Sequence, residues 1–233
     1  MPGVGLDELQ SHIGYRFQND EILLEALTHS SFAQEATSQS RDNEQLEFLG
    51  DAVLNFIVSV RLADVFPHHE EGRLSRARAR LVAAEHLARA AARLHLGDYL
   101  RLGRGEEKTG GRSKGNLQVN ALEALIAALY RDGGLETARR FVEQFVLPAD
   151  LAACADELFS TDYKSALQEH LQAKGCGPAV YRVVEESGPE HQKTFTVEAS
   201  AGENLTARGM GGSKKSAEQQ AAKNLLEFQG RQS

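Results

Sequence analysis

Tryptophan is absent from this 233-residue chain, cysteine and methionine occur twice each, and aromatic residues make up 6% of it. Cys154 and Cys176 have neither the paired spacing of a zinc site nor the density of a disulfide framework, so both are expected as plain thiols. No apolar run approaches the ~20 residues needed to cross a bilayer, and the first residues, MPGVGLDELQ, carry acids where a basic leader would stand. The chain reads as cytoplasmic, with no membrane partner. Positive charge is also in deficit: 26 Lys and Arg against 33 Asp and Glu give a net charge of −7. From Thr161 onward the signs balance at 9 each, which leaves 17 basic and 24 acidic residues before it. The excess negative charge is therefore N-terminal, where a carboxylate patch could hold metal. A polyanion would have to be gripped by local basic clusters.

From Leu6 to about Phe159 nearly every segment has helical spacing. Leu23, Leu24 and Leu27 mark one amphipathic helix; Leu46, Leu49, Val53 and Phe56 mark a longer one; Leu122, Leu125, Ile126 and Leu129 mark a third. The breakers are Pro67, a loop from Gly103 to Gly115, and Gly133-Gly134. Past Pro148 the texture changes. Residues 162–174 read as helix, 181–186, 194–199 and 204–210 as strands, and 213–228 as helix. The expected architecture is an all-α domain over residues 1–159, followed over 160–233 by an α+β (α-β-β-β-α) domain with both helices on one face of an antiparallel sheet.

In NEQLEFLGDAVLNF, Glu44, Glu47 and Asp51 stand at i, i+3 and i+7, a spacing that lines three acids along one helical stripe. Clustered carboxylates cost stability unless protons or a cation compensate, and Mg²⁺ is the natural partner of oxygen ligands. A solvated acidic face is the plainer reading of such a trio. Two features weigh against it. Gly50 sits inside a strong helix, where it costs about 1 kcal/mol relative to Ala unless another backbone must come close. VNALEALIAALY places Asn120 and Glu123 at i and i+3 on an otherwise apolar helix.

LEFLGDAVL resembles the signature of the ribonuclease III family, and ALTHSSF, EGRLSRARARLV and NALEALIAALYRDGG match that family's other blocks in the same order, over about residues 6–229. The resemblance implies a homodimeric endonuclease for double-stranded RNA. It implies hydrolysis with Mg²⁺, or Mn²⁺ in its place, by two-metal chemistry that leaves 5′-phosphate and 3′-hydroxyl ends, in rRNA and mRNA processing. It implies that Asp51 and Glu123 are catalytic and hold the metal that activates water, that Glu47 and Asn120 complete the shell, and that Glu44 supports them. Asn120 departs from the family pattern, which has aspartate there. An amide oxygen can ligate but brings no charge, so a second reading is a duplex-binding protein of the same fold that cleaves poorly. Phe48 is expected either to insert into a partner subunit or to pack in the core. Arg73, Arg76 and Arg80 share a helix face that is either solvated or tracks phosphates. His29 reads as structural.

GGSKKSAEQQAA opens a helix with a candidate Ser213 cap and with Lys214 and Lys215 in the first turn. Cations at the positive end of a helix dipole make sense if an anion docks there. This segment and the order helix, three strands, helix resemble a double-stranded-RNA-binding domain. By that resemblance Ser165, Gln168, Glu169 and His191 meet successive minor grooves, and Lys214 and Lys215 span the phosphates between. The strands carry no aromatic platform for stacking unpaired bases, so duplex shape is the expected target.

Overall fold

Helix-forming runs separated by turn residues generate the first of two compact units, Met1–Phe159; the second is Ser160–Ser233. The computed structural model describes residues 5–36, 40–159, 163–189, 193–202 and 205–230. The first unit contains α1 (Leu6–Ile13), α2 (Asp20–Ala26), α3 (Ser30–Glu35), α4 (Glu44–Val65), α5 (Glu71–Leu81), α6 (Ala84–Arg93), α7 (Leu96–Tyr99), α8 (Arg104–Lys108), α9 (Gly115–Phe145) and α10 (Ala155–Phe159). Asn19 caps α2, its side chain accepting from Glu21 N–H at 2.9 Å. No helix among the described residues is long and apolar enough to cross a membrane.

The core forms around α4 and α9, which pack against each other along much of their length. Leu122, Leu125, Ile126 and Leu129 are fully buried, as their spacing predicts. On α4 the expected stripe is partly wrong. Leu46 and Val53 are buried, but Phe56 is 53% exposed, and the inward face runs instead through Gly50, Leu54, Ile57, Val58 and Leu62. At 100° per residue a stripe read as 46, 49, 53, 56 drifts off the face that α9 covers.

Two breaker readings also change. The segment expected as a Gly103–Gly115 loop holds α8 and a 3-10 turn, Gly111–Ser113. The Arg112 guanidinium fixes it by donating to the carbonyls of Gly97, Asp98 and Leu100 at 3.0, 3.1 and 2.9 Å. Gly134 has φ 76° and kinks α9, but helix resumes to Phe145. There Asp132 accepts from Tyr15 Oη and from the N–H groups of Gln18 and Asn19, tying α9 to the turn before α2.

The second unit has α11 (Tyr163–Ala173), β1 (Val180–Ser187), β2 (Thr194–Ala201), β3 (Leu205–Gly211) and α12 (Lys214–Gly230), with an antiparallel sheet in the order β1-β2-β3. Val197, Ala199 and Ala201 point to one face and pack with Leu167 and Leu171 of α11 and Ala217, Ala221, Ala222 and Leu225 of α12. Both helices therefore cover the same face, as expected. Gly209 makes room for α12, because a Cβ there would collide with the Ala221 backbone nitrogen.

Gly50 does the same for α4 and α9: a Cβ at residue 50 would run into the carbonyl oxygen of Glu123. Gly50→Ala should thus lower stability by about 1–3 kcal/mol through overpacking, although Ala in a free helix would raise it by about 1 kcal/mol. Thermal unfolding checks the sign, and an unchanged or raised Tm would refute the close-approach argument.

Candidate active site and nucleic-acid interface

The site begins at Asn43, which is 3% exposed. Its N–H donates to the Thr28 carbonyl at 2.9 Å and its amide nitrogen to the Ala26 carbonyl at 3.3 Å, while its own carbonyl accepts from Glu47 N–H at 2.8 Å. The first turn of α4 is thereby fastened to the segment before α3. Glu44, Glu47 and Asp51 then follow along α4. Across the Gly50 contact, α9 presents Asn120 and Glu123. With His29, Ser30, Asn43 and Phe48, these five residues line one open cavity of about 580 Å³.

Its electrostatics are those of carboxylates without a counter-ion. Burial, then the charges of Asp51 and Glu47, push the Glu123 carboxyl up to about 7 from its ordinary 4.5. Burial, then Glu44 and Asp51, also raise Glu47. Among the described residues no Lys or Arg lines the cavity. Asp51 is exposed, and its Oδ1 accepts from Asn55 Nδ2 at 2.8 Å, which orients it. Among the described residues no three acidic, histidine or cysteine side chains are close enough to enclose an ion by themselves. The donor set is an open rim of oxygens. It fits a hard divalent cation such as Mg²⁺, which is commonly bound through one or two carboxylates and keeps several waters.

The fold therefore brings Glu44, Glu47, Asp51, Asn120 and Glu123 together from two distant stretches of chain. Phe48, on the rim, is 82% exposed, which removes the core-packing alternative. The basic face of α5 is not free for phosphates along its length. Arg73 stacks over the Phe159 ring at 5.1 Å, and Arg80 donates to the Leu158 carbonyl at 2.9 Å, so both hold α10 against α5. His29 caps α3, as a structural reading has it, yet it also lines the cavity. Sequence reasoning passed over Asn43 and Asn55. The i+4 spacing of Asn55 from Asp51 was a usable signal, whereas the burial of Asn43 was not visible locally.

In the second unit Ser165, Gln168 and Glu169 are exposed on the side of α11 opposite Leu167 and Leu171. Ser213 caps α12, its Oγ accepting from Ser216 N–H at 3.1 Å. Lys214 and Lys215 are exposed, and Lys214 Nζ lies 3.0 Å from Glu186 on β1, whose carboxyl it holds below the usual range. His191 lies outside the described residues.

A proton on Glu123 substitutes for a cation, with a consequence for stability. The raised carboxyl contributes stability that is fully present below pH 4.5 and lost as the pH climbs through about 7. Urea unfolding in chelator between pH 4.5 and 8 should show the parent protein losing stability relative to Glu123→Gln. Parallel curves for the two proteins would contradict the assignment of that strain to Glu123.

Comparison with known proteins is consistent with this geometry. The family profile described as Ribonuclease-III-like matches residues 19–150, and that described as Double-stranded RNA binding motif matches residues 163–228. The protein named Ribonuclease 3 of Solibacter usitatus is 49% identical over 232 residues, covering 94% of this chain and 85% of that protein. Its namesake in Syntrophotalea carbinolica is 44% identical over 221 residues, covering 94% and 95%. The crystal structure of the nuclease domain of ribonuclease III from Campylobacter jejuni superposes with a TM-score of 0.57 at 37% identity, covering 61% of this chain and 94% of that domain. A second structure of that domain, described as flexible in a region involved in dimer formation, gives 0.55 at 38%, covering 60% and 97%. The chain belongs to the ribonuclease III family: it is an endoribonuclease in which a helical nuclease domain precedes a double-stranded-RNA-binding domain.

Proposed function

We propose that the carboxylate cavity is where duplex RNA is hydrolysed, with Glu47, Asp51, Glu123 and the amide oxygen of Asn120 holding Mg²⁺, or Mn²⁺ in its place. The observation that carries this reading is that Glu47 and Asp51 of α4 and Asn120 and Glu123 of α9 line one cavity, where burial and neighbouring acids raise the Glu123 carboxyl, an arrangement that a divalent cation relieves. When bound, such a cation supplies the charge that makes water nucleophilic and stabilises the departing 3′ oxygen, which leaves 5′-phosphate and 3′-hydroxyl ends. Glu123 must release its proton for the ion to bind. Asn55 keeps Asp51 turned along α4, and Glu44 adds negative charge beside Glu47. Processing of rRNA and mRNA in the cytoplasm fits an enzyme that reads duplex shape.

Two strands require two sites, and a twofold dimer provides them. The outer face of α4 supports this: Phe48, Phe56 and Val60 are 82%, 53% and 41% exposed, spaced eight and four residues apart along a broad stripe. Phe48 also lines the cavity, so a partner docked on this stripe lies beside the reacting centre. Phe48→Glu should turn a dimer into a monomer in sedimentation at micromolar concentration. A monomeric parent protein, or a variant still dimeric, would reject the interface.

The second unit grips duplex RNA through Ser165, Gln168 and Glu169 at minor grooves, with His191 assigned by resemblance alone, and through Lys214 and Lys215 at phosphates. Lys214 leaves Glu186 for the phosphate. The neutral amide of Asn120 favours a second reading, a protein that binds duplex RNA and cleaves slowly. Incubation of a long duplex with Mg²⁺ or Mn²⁺ separates the two: the first reading expects the parent chain to cleave, whereas the second expects it to bind the duplex with little or no cleavage until Asn120→Asp restores it. Reciprocal variants test the division of labour. Glu123→Ala should end cleavage with duplex affinity intact, while Lys214→Ala with Lys215→Ala should weaken binding evenly across sequences and flatten its salt dependence. Normal turnover in the first, or an unchanged salt slope in the second, would remove those residues from their roles.

A further inference from the structure

His29 carries hydrogen bonds that decide where its ring proton sits. The residue precedes α3, and its Nδ1 accepts from Ser31 N–H at 3.2 Å and lies 2.8 Å from Ser31 Oγ. Ser31 Oγ in turn accepts from Gly103 N–H at 2.9 Å, which leaves its own proton to point at Nδ1. A ring nitrogen that accepts these donors carries no proton, so the neutral imidazole is protonated at Nε2. The backbone is held on both sides: His29 N–H donates to the Arg101 carbonyl at 3.0 Å, and the His29 carbonyl accepts from Phe32 N–H at 2.9 Å. The Nε2 proton finds no acceptor among the described residues, and His29 lines the carboxylate cavity.

A donor with a fixed proton at the edge of an acidic cavity suits an anion that arrives together with a cation. Lysine or arginine in this place would pair with Glu47, Asp51 or Glu123 and compete with the ion. An imidazole Nε2–H is instead a single directed donor, and it bonds strongly to a charged phosphate oxygen. We propose that His29 donates from Nε2 to a non-bridging oxygen of the RNA phosphate in the cavity and so orients it for attack. The proposal rests on the nuclease reading of that cavity.

Two substitutions split the two edges of the imidazole. His29→Asn keeps an oxygen where Nδ1 stands, able to cap α3, and is too short to place a donor at the position of Nε2. His29→Gln reaches the Nε2 position with an amide N–H and gives up the cap. Both are made in the parent chain and in the Asn120→Asp background. For each, thermal unfolding, Mn²⁺ binding without RNA and single-turnover cleavage of a long duplex in Mg²⁺ are measured. The expected result for Asn is unchanged Tm and Mn²⁺ affinity with cleavage slowed about ten- to a hundredfold, the worth of a hydrogen bond to a charged group. Gln should have the lower Tm and the faster cleavage of the two. Parent-like cleavage by His29→Asn, or cleavage that follows Tm instead of the donor, overturns the role of His29 and leaves the nuclease reading standing. If neither the parent nor Asn120→Asp cleaves, the nuclease reading falls and takes this proposal with it.

Discussion

The nuclease domain depends on one close approach. Gly50 lets the backbone of Glu123 lie directly against α4, and every consequence of the site follows from that contact. Side chains on two helices then share a cavity, where burial and the charges of Asp51 and Glu47 raise the Glu123 carboxyl. Burial of Leu46, Leu54, Leu122, Leu125 and Ile126 supplies the stabilisation that holds like charges together. A cluster so arranged is at odds with its own solvation until protons or a cation arrive.

The sign of charge is divided along the chain. Acids concentrate in the helical domain, where they repel nucleic acid on their own. The second domain, balanced overall, concentrates lysines at the start of α12. There the helix dipole favours an anion, and the Lys214–Glu186 pair occupies one lysine meanwhile. Grip on the duplex and chemistry on its backbone therefore reside in separate units, joined by the chain.

Much of this architecture was legible in the residues. The helix periodicity around Leu122 to Leu129, the strand alternation around Val197 to Ala201 and the Ser213 cap all arise from local rules, so the elements and the domain order could be read directly. The stripe of Glu44, Glu47 and Asp51 was legible for the same reason. Phe56 was misplaced because a helix's inward face is set by the partner that covers it. The Gly103–Gly115 segment was misread because its helical turn depends on Arg112 reaching the carbonyls of residues 97–100.

The sequence by itself determined which segments fold and which side chains can bind oxygen-seeking ions, since those properties are encoded within a turn or two of backbone. Tertiary structure alone decided that Glu123 sits beside Asp51, that Phe48 is bare, and that His29, whose ring is held locally by Ser31, lines the acids' cavity. Those outcomes depend on contacts between residues some seventy positions apart, where packing distance and burial set the charge state, and no local pattern contains either quantity.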